Sequence, residues 1–239
     1  MTTMPHTAMV LAAGLGTRMR PLTEVTAKPL IEVGNKKLID HLLDNLVAAG
    51  VRRAVVNVHW FADLVEAHVR ARTDLDVVIS DERDLVLETG GGLAKARPLL
   101  GDDPILVVNT DAFWGPAGAE PLAELADAFD PDVMDECLLL ADTGRSLGFH
   151  GAGDFFSDDG VLRRRGEADC APWAYAGIRI LKPQLYDGEP VEPFSANRIW
   201  NRILPAGRVH GHPLDRFWLH VGDPKAKEDA EMWLLCHGG

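Results

Sequence analysis

Residues 9–29 read MVLAAGLGTRMRPLTEVTAKP. The apolar run Met9 to Ala13 predicts a short buried strand, which Gly14 and Gly16 break. Thr17, Arg18 and Arg20 follow, then Pro21, then Lys28 and Pro29. A strand that opens into glycines and then into cations is built to hold phosphate. Glycine lets backbone N–H groups approach an anion, and the cations neutralise it. The dinucleotide fingerprint is excluded, because it needs a helix directly after its glycines. Here Met19 stands at the third glycine position, and Pro21 and Pro29 oppose a continuous helix. No P-loop string is present either. The stretch is therefore a long anion-holding loop of another kind. Gly14 and Gly16 would let amides reach a nucleotide. Arg18 offers phosphate a planar bidentate fork, and Lys28 a compact point charge.

Downstream, strands alternate with helices. Spacing predicts a helix from Leu38 to Val47, stopped by Gly50, a strand from Val51 to Val58, a helix from Phe61 to Arg72 and a strand from Val77 to Ser80. Leu87 to Leu93 reads LETGGGL and predicts a loop that something approaches closely, with a short helix after it. Pro104 to Asn109 is a continuous apolar run, as expected of a central parallel strand. It ends at Asn109-Thr110-Asp111, and a carboxylate just past such a strand is where open α/β sheets place ligand chemistry. A helix at 122–129 and a strand at 133–141 complete this half. The spacing predicts an α/β fold with a Rossmann-like, mostly parallel, doubly wound sheet.

After Asp142 the pattern loosens and predicts a small antiparallel extension for a second substrate. An Asp-Asp-Gly turn at 158–160 leads into Val161 to Arg165, whose three arginines read most simply as a solvated strand edge. Strands are expected at 173–181, 209–213 and 217–221, and a helix at 194–204. Asp223 can cap the closing helix, with Pro224 at its first turn. One domain is expected over 1–239: about 1–141 around the anion-holding loop, about 142–223 for the second substrate, and 224–239 as the closing helix.

The chain has 239 residues and a net charge of −12, with 46% hydrophobic and 25% charged residues. That charge argues against a nucleic-acid partner. An acidic chain that binds polyphosphate calls for a divalent cation between carboxylate and phosphate. No apolar run is long enough for a membrane span, and the N-terminus has no signal-peptide pattern. Three widely spaced cysteines (Cys137, Cys170, Cys236) fit a reducing cytoplasm. Nothing in the sequence speaks to oligomeric state.

The string Leu11-Ala12-Ala13-Gly14, Gly16-Thr17-Arg18, Arg20-Pro21-Leu22-Thr23 and Lys28-Pro29 resembles the signature of the sugar-1-phosphate nucleotidyltransferases. The likeness extends over nearly the whole chain. It implies a Rossmann-like core, Mg²⁺ (with Mn²⁺ as a substitute), and in-line attack of a sugar 1-phosphate on the α-phosphorus of an NTP with loss of pyrophosphate. It implies Arg18, Lys28 and Asp111 as catalytic residues. Leu11, Ala12, Ala13, Gly14, Gly16, Thr17, Glu88, Thr89, Gly90, Gly91 and Asn109 are implied on the nucleotide, with 88–92 as a base loop. Gly153, Asp154, Tyr175, Ala176 and Gly177 are implied on the sugar.

The closing element Trp218 to Asp223 is similar to the family's Trp-x-Asp-x-Gly-Thr, except that His220 stands where an Asp is usual. Imidazole is a poor Mg²⁺ ligand and a better one for Mn²⁺. Either Asp111 and the phosphates carry the metal with waters, which is the favoured reading, or Asp223 contributes, or His220 binds a softer ion or a phosphate. Leu87 to Gly92 and Gly151 to Phe155 are similar to one branch, the N-acetylmuramate α-1-phosphate uridylyltransferases of cell-wall recycling, which favours UTP. The shortness of the chain leaves no room for the C-terminal β-helix of longer relatives. Mannose-1-phosphate guanylyl transfer is the alternative activity. A non-catalytic nucleotide-sugar binding module is a second, resting on His220 alone. Choline-phosphate cytidylyl transfer is a third, and would need Trp173, Tyr175 and Trp200 to converge as a cage.

Overall fold

The computed structural model describes residues 4–115 and 118–237. The first three residues of the expected N-terminal segment and the last two of the closing segment lie outside the described residues. The first half carries strands β1 (Thr7–Leu11), β2 (Glu32–Val33), β3 (Lys36–Lys37), β4 (Arg53–Val58), β5 (Asp76–Asp81), β6 (Ile105–Asn109) and β7 (Ala112–Gly115). With them go helices α1 (Leu38–Ala48), α2 (Ala62–Arg70), α3 (Glu88–Leu100) and α4 (Glu120–Ala128). The second half adds β8 (Glu136–Asp142), β9 (Ser146–Leu147), β10 (Phe155–Asp158), β11 (Val161–Arg164), β12 (Trp173–Leu181), β13 (Val209–Pro213) and β14 (Phe217–His220). Helices α5 (Asn197–Ile203) and α6 (Pro224–His237) finish the chain.

One nine-stranded sheet runs β10-β11-β13-β8-β12-β6-β1-β4-β5. Its β6-β1-β4-β5 block is parallel throughout. Only β12 and β11 run against the rest. The strands of the second half do not hang off the first, because β12 lies between β6 and β8.

Alternation along the strands divides the core in two. Ala8, Val10, Ala54, Val56, Leu106 and Val108 pack with α1, α2 and α4, whereas Met9, Val55 and Val107 pack with α3 and α5. Burial on both faces is why these strands read as continuous apolar runs. A third, smaller core lies under the sheet β7-β14-β9 and joins it to α6.

Two expectations need correction. Leu87 to Gly92 is not a loop, since helix α3 begins at Glu88. The glycines are there for the chain itself. A Cβ on Gly91 would run into the Glu192 carbonyl, and one on Gly90 into the Phe194 ring. The helix expected at 194–204 starts later, at Asn197, because the Phe194 backbone is bonded to the start of α3, its N–H donating to Leu87 O and its carbonyl accepting from Gly90 N and Gly91 N.

Candidate active site

From β1 the chain steps outward through β4 to β5, then returns to place β6 on the other side of β1. The order therefore reverses between β1 and β6, and a crevice opens beyond the carboxyl ends of strands at such a point. A cleft of about 490 Å³ lies there. Of the residues singled out from sequence, its wall contains Leu11, Ala12, Ala13, Gly14, Gly16, Thr17, Arg18, Lys28, Glu88, Thr89, Asn109 and Asp111. Residues 12–37 reach it without a full helix, through three short 3-10 turns, at Thr17–Met19, Leu22–Glu24 and Lys28–Leu30. Gly16 opens the first turn at φ 61°, and Thr23 Oγ1 donates to its carbonyl at 2.9 Å.

Lys28 Nζ donates to Asp111 Oδ2 at 2.8 Å, with side-chain exposures of 12% and 21%. His220 Nε2 lies 3.6 Å from the same oxygen. Its ring stacks on Trp218 at 5.3 Å, which fixes the imidazole beside the carboxylate. Burial alone would raise the Asp111 carboxyl. Lys28, and after it His220, overcome that and hold it well below the usual carboxylate range. An unfolded aspartate titrates near about 3.9. The depressed folded value means that the pair's stabilisation is complete above about pH 4 and is lost as pH falls through the folded pKa. Urea unfolding of wild type and Asp111→Asn should therefore show a stability gap at pH 7 that narrows at about pH 3. A gap that widens contradicts this electrostatic account. Arg18 is exposed and has no carboxylate at ion-pair distance among the described residues, so its guanidinium is available to an anion.

Asn57, at the end of β4, is the residue that sequence reasoning missed. Ala12 N and Ala13 N donate to Asn57 Oδ1 at 2.7 and 3.3 Å, and Asn57 Nδ2 donates to Glu82 Oε1 at 2.8 Å. Leu87 N donates to Glu82 Oε2 at 3.1 Å, so one buried network ties the glycine loop to the start of α3. Burial pushes the Glu82 carboxyl up, against the pull of these donors. The Ala12 and Ala13 amides are thus spent on the chain, and these residues meet a ligand only through other atoms. Asn57→Leu leaves both amides and Glu82 Oε1 without the partners that Asn57 supplies. We expect a loss of about 2–3 kcal/mol, seen as a fall in Tm of roughly 5–10 °C. A polar residue at the end of an otherwise apolar strand was the available signal.

The amides of Gly90 and Gly91 are spent in the same way. Both donate to Phe194 O, at 2.8 and 3.1 Å, and neither residue is in the cleft wall. Thr89 is in the wall and accepts from Ala196 N at 2.9 Å, with its own hydroxyl hydrogen left to donate. Ser195, which carries no signal in the sequence, joins the wall from the same segment.

The residues expected on the sugar lie outside that wall. Asp154 Oδ2 accepts from Tyr175 N at 2.9 Å, which pins the β10–β11 hairpin to β12. Gly153, at φ 82°, packs on the Ala171 carbonyl. Ala176 and Gly177 form an irregularity in β12 between Tyr175 and Arg179, where Gly177 comes against Asn109 and Ala112. The Tyr175 hydroxyl is buried without a partner among the described residues, and burial pushes it up to about 12. Tyr175 and Trp200 do meet, at 5.3 Å. The chain's own Arg179 fills that aromatic corner, 5.8 Å from one ring and 5.1 Å from the other, so no cage for a quaternary amine forms. Asp223, a further candidate for the metal set, stands just before α6. Its Oδ1 accepts from Ala226 N at 2.9 Å and caps α6, and no group of three metal-ligating side chains gathers among the described residues.

A doubly wound sheet with a cation–carboxylate pair at its switch point defines a nucleotide-handling protein, and comparison with known proteins agrees. The chain belongs to the nucleotidyl transferase family, which it matches over residues 7–140. It is 52% identical over 239 residues to the N-acetylmuramate alpha-1-phosphate uridylyltransferase of Caulobacter vibrioides, covering 98% of this chain and 99% of that one. It is 29% identical over 235 residues to the mannose-1-phosphate guanylyltransferase catalytic subunit beta of Danio rerio, covering 91% of this chain and 61% of that one. Among solved structures, the inositol-1-phosphate CTP transferase from T. maritima aligns with a TM-score of 0.80 over 97% of this chain and 96% of its own, at 15% identity. That likeness bears out the fold. No helix among the described residues is long and apolar enough to cross a membrane.

Proposed function

We propose that this chain transfers a uridylyl group from UTP to N-acetylmuramate α-1-phosphate and releases pyrophosphate. The reading is carried by the Lys28–Asp111 pair at the β1/β6 switch point. The choice of substrates rests on the activity named for the Caulobacter vibrioides relative, whose identity over nearly full length exceeds that of the guanylyltransferase relative. Arg18 takes the β,γ-phosphates as a planar donor, and Lys28 places a point charge at the phosphorus under attack. The sugar phosphate is already an anionic nucleophile, so no general base is needed. Positioning and charge neutralisation supply the rate.

The donor set fits a hard divalent cation, since Asp111 is an ionised carboxylate at a strand end and phosphate oxygens and water complete such a shell. Mg²⁺, or Mn²⁺ with His220 beside it, would be held by Asp111 and would screen the phosphate oxygens from the nucleophile. In this reading residues up to about 141 hold the NTP, and 142–223 hold the sugar phosphate from β12 and the segment before α5. The buried Cys137 and the unpaired Cys170 and Cys236 suit a reducing cytoplasm.

The test is a matrix of the common NTPs against several sugar 1-phosphates, each with Mg²⁺ and Mn²⁺, read as pyrophosphate release. The UTP–N-acetylmuramate pair should lead. Release confined to GTP with mannose 1-phosphate assigns the guanylyl reading, and nucleotide binding with no release under either metal assigns a binding module.

A further inference from the structure

The arginine run on β11 divides into three different environments. Arg163 is exposed, 4.6 Å from the Phe156 ring centroid and 3.8 Å from Asp158. Arg165 is spent on backbone, donating to Gly153 O at 3.1 Å and Ala168 O at 2.6 Å. Arg164 turns inward. Its guanidinium carbon lies 5.2 Å from the ring centroids of both Phe155 and Trp200. It donates to Asn197 Oδ1 at 2.6 Å and Asn201 Oδ1 at 3.4 Å. Among the described residues no carboxylate stands at ion-pair distance from it.

That is an unusual balance. A half-buried guanidinium held against two rings favours an anion as its partner over further neutral contacts. Burial pulls the Arg164 guanidinium down, and the Asp154 carboxylate that opposes this is hydrogen-bonded to Tyr175 N. Two amides and two rings orient the fork without neutralising it. The fork is connected to the cleft by hydrogen bonds. Asn197 Nδ2 donates to Ser195 Oγ at 3.0 Å, and Ser195 lines the cleft. Arg18 and Lys28 line that cleft from the glycine loop, whereas Arg164 is linked to it through Asn197 and Ser195 and belongs to the β10–β11 hairpin that Asp154 ties to β12. A second anion, separate from the triphosphate, would find its counter-charge there.

N-Acetylmuramate is a sugar acid: an N-acetylglucosamine whose lactyl ether carries an ionised carboxylate. We propose that Arg164 is the specificity-determining cation of the sugar side and receives that carboxylate, so that the site favours an acidic N-acetylhexosamine phosphate over the neutral sugar that lacks the lactyl group. The proposal rests on the uridylyl-transfer reading for its substrate. A planar fork pairs bidentately with a carboxylate, which is why an arginine at this position is not interchangeable with lysine.

The experiment compares N-acetylmuramate 1-phosphate with N-acetylglucosamine 1-phosphate in wild type, Arg164→Gln and Arg164→Lys. Wild type should prefer the acid. In R164Q the acid-to-neutral ratio of kcat/KM should fall by about 10- to 100-fold, mostly through KM for the acid sugar, as loss of a charge-assisted pair predicts. R164K should recover part of the ratio. Calorimetric affinities for the two sugar phosphates read the same preference without turnover. A wild type with no preference, or a preference that survives in R164Q, overturns the proposal. Equal losses for both sugars would assign Arg164 a packing role and overturn it as well. Absence of pyrophosphate release with a calorimetric preference intact would instead count against uridylyl transfer alone.

Discussion

Asp111→Ala should abolish turnover, a loss of at least about a thousandfold, while His220→Ala lowers it by about 10- to 100-fold. The ranking follows from what each side chain touches. Asp111 is the carboxylate at the end of β6, in the cleft wall, and the only acidic side chain that pairs with Lys28 among the described residues. Removing it takes away the hard oxygen that a divalent cation requires and leaves Lys28 with no fixed partner. His220 lies behind it at 3.6 Å, stacked on Trp218. It borders Asp111 rather than supplying a carboxylate oxygen. Steady-state kinetics with Mg²⁺ and Mn²⁺ checks the ranking. Equal loss from the two substitutions would mean that His220 is itself part of the metal or phosphate shell. A greater loss for His220→Ala with Mn²⁺ than with Mg²⁺ would place the imidazole on the softer ion.

The second large effect is on stability. Glu136→Ala should cost about 3–5 kcal/mol and lower Tm by roughly 6–20 °C. Glu136 and Arg179 are both buried, 0% and 2% exposed, on the adjacent strands β8 and β12. Arg179 Nε lies 3.6 Å from Glu136 Oε2, and the Trp200 indole donates to the same oxygen at 2.5 Å. Burial pushes the Glu136 carboxyl up, against the pull of Arg179. Removing Glu136 strands a buried guanidinium and an indole N–H together. The double replacement Glu136→Leu with Arg179→Met should recover much of the loss, because a buried ion pair gains little over well-packed apolar groups. Thermal melts of the three proteins decide it. A Glu136→Ala protein that melts with the wild type would show that Arg179 finds its counter-charge elsewhere. The same deletion should loosen α5 through Trp200 and thereby the wall at Ser195, so a rise in KM is expected beside the loss of stability.

Much of the fold was legible because burial writes itself into period. The β12 strand occupies the residues that the apolar run 173–181 predicted, and the parallel block has the strands that βαβ spacing required. Asp223 as a helix cap was readable from Asp-Pro, although the family likeness pulled the same residue toward a metal. What the pattern could not carry was partnership at a distance. Three glycines in a row announce a close approach but not what approaches. Here it is Phe194 at Gly90 and Glu192 at Gly91, far along the same chain, and Asn57 with Glu82 at Gly92. Asn57 sits inside a strand, and only the folded sheet shows that its amide holds Ala12, Ala13 and Glu82 together. Arg163 to Arg165 looked alike in sequence and differ in three dimensions because one strand residue faces the core side that its neighbours do not. The phosphate-facing residues were readable as a cluster since Gly14 to Lys28 is one continuous loop. The residues proposed for the sugar were not, because β12, the 153–154 turn and the segment before α5 are far apart in sequence.

The measurement closest to the central claim is ³¹P NMR of the wild-type protein with UTP, N-acetylmuramate α-1-phosphate and Mg²⁺. The sugar phosphate and triphosphate resonances should be replaced by those of a sugar-linked diphosphate and free pyrophosphate, and the replacement should fail in Asp111→Ala. Unchanged UTP in the wild-type sample, or a product formed equally well by Asp111→Ala, would contradict it.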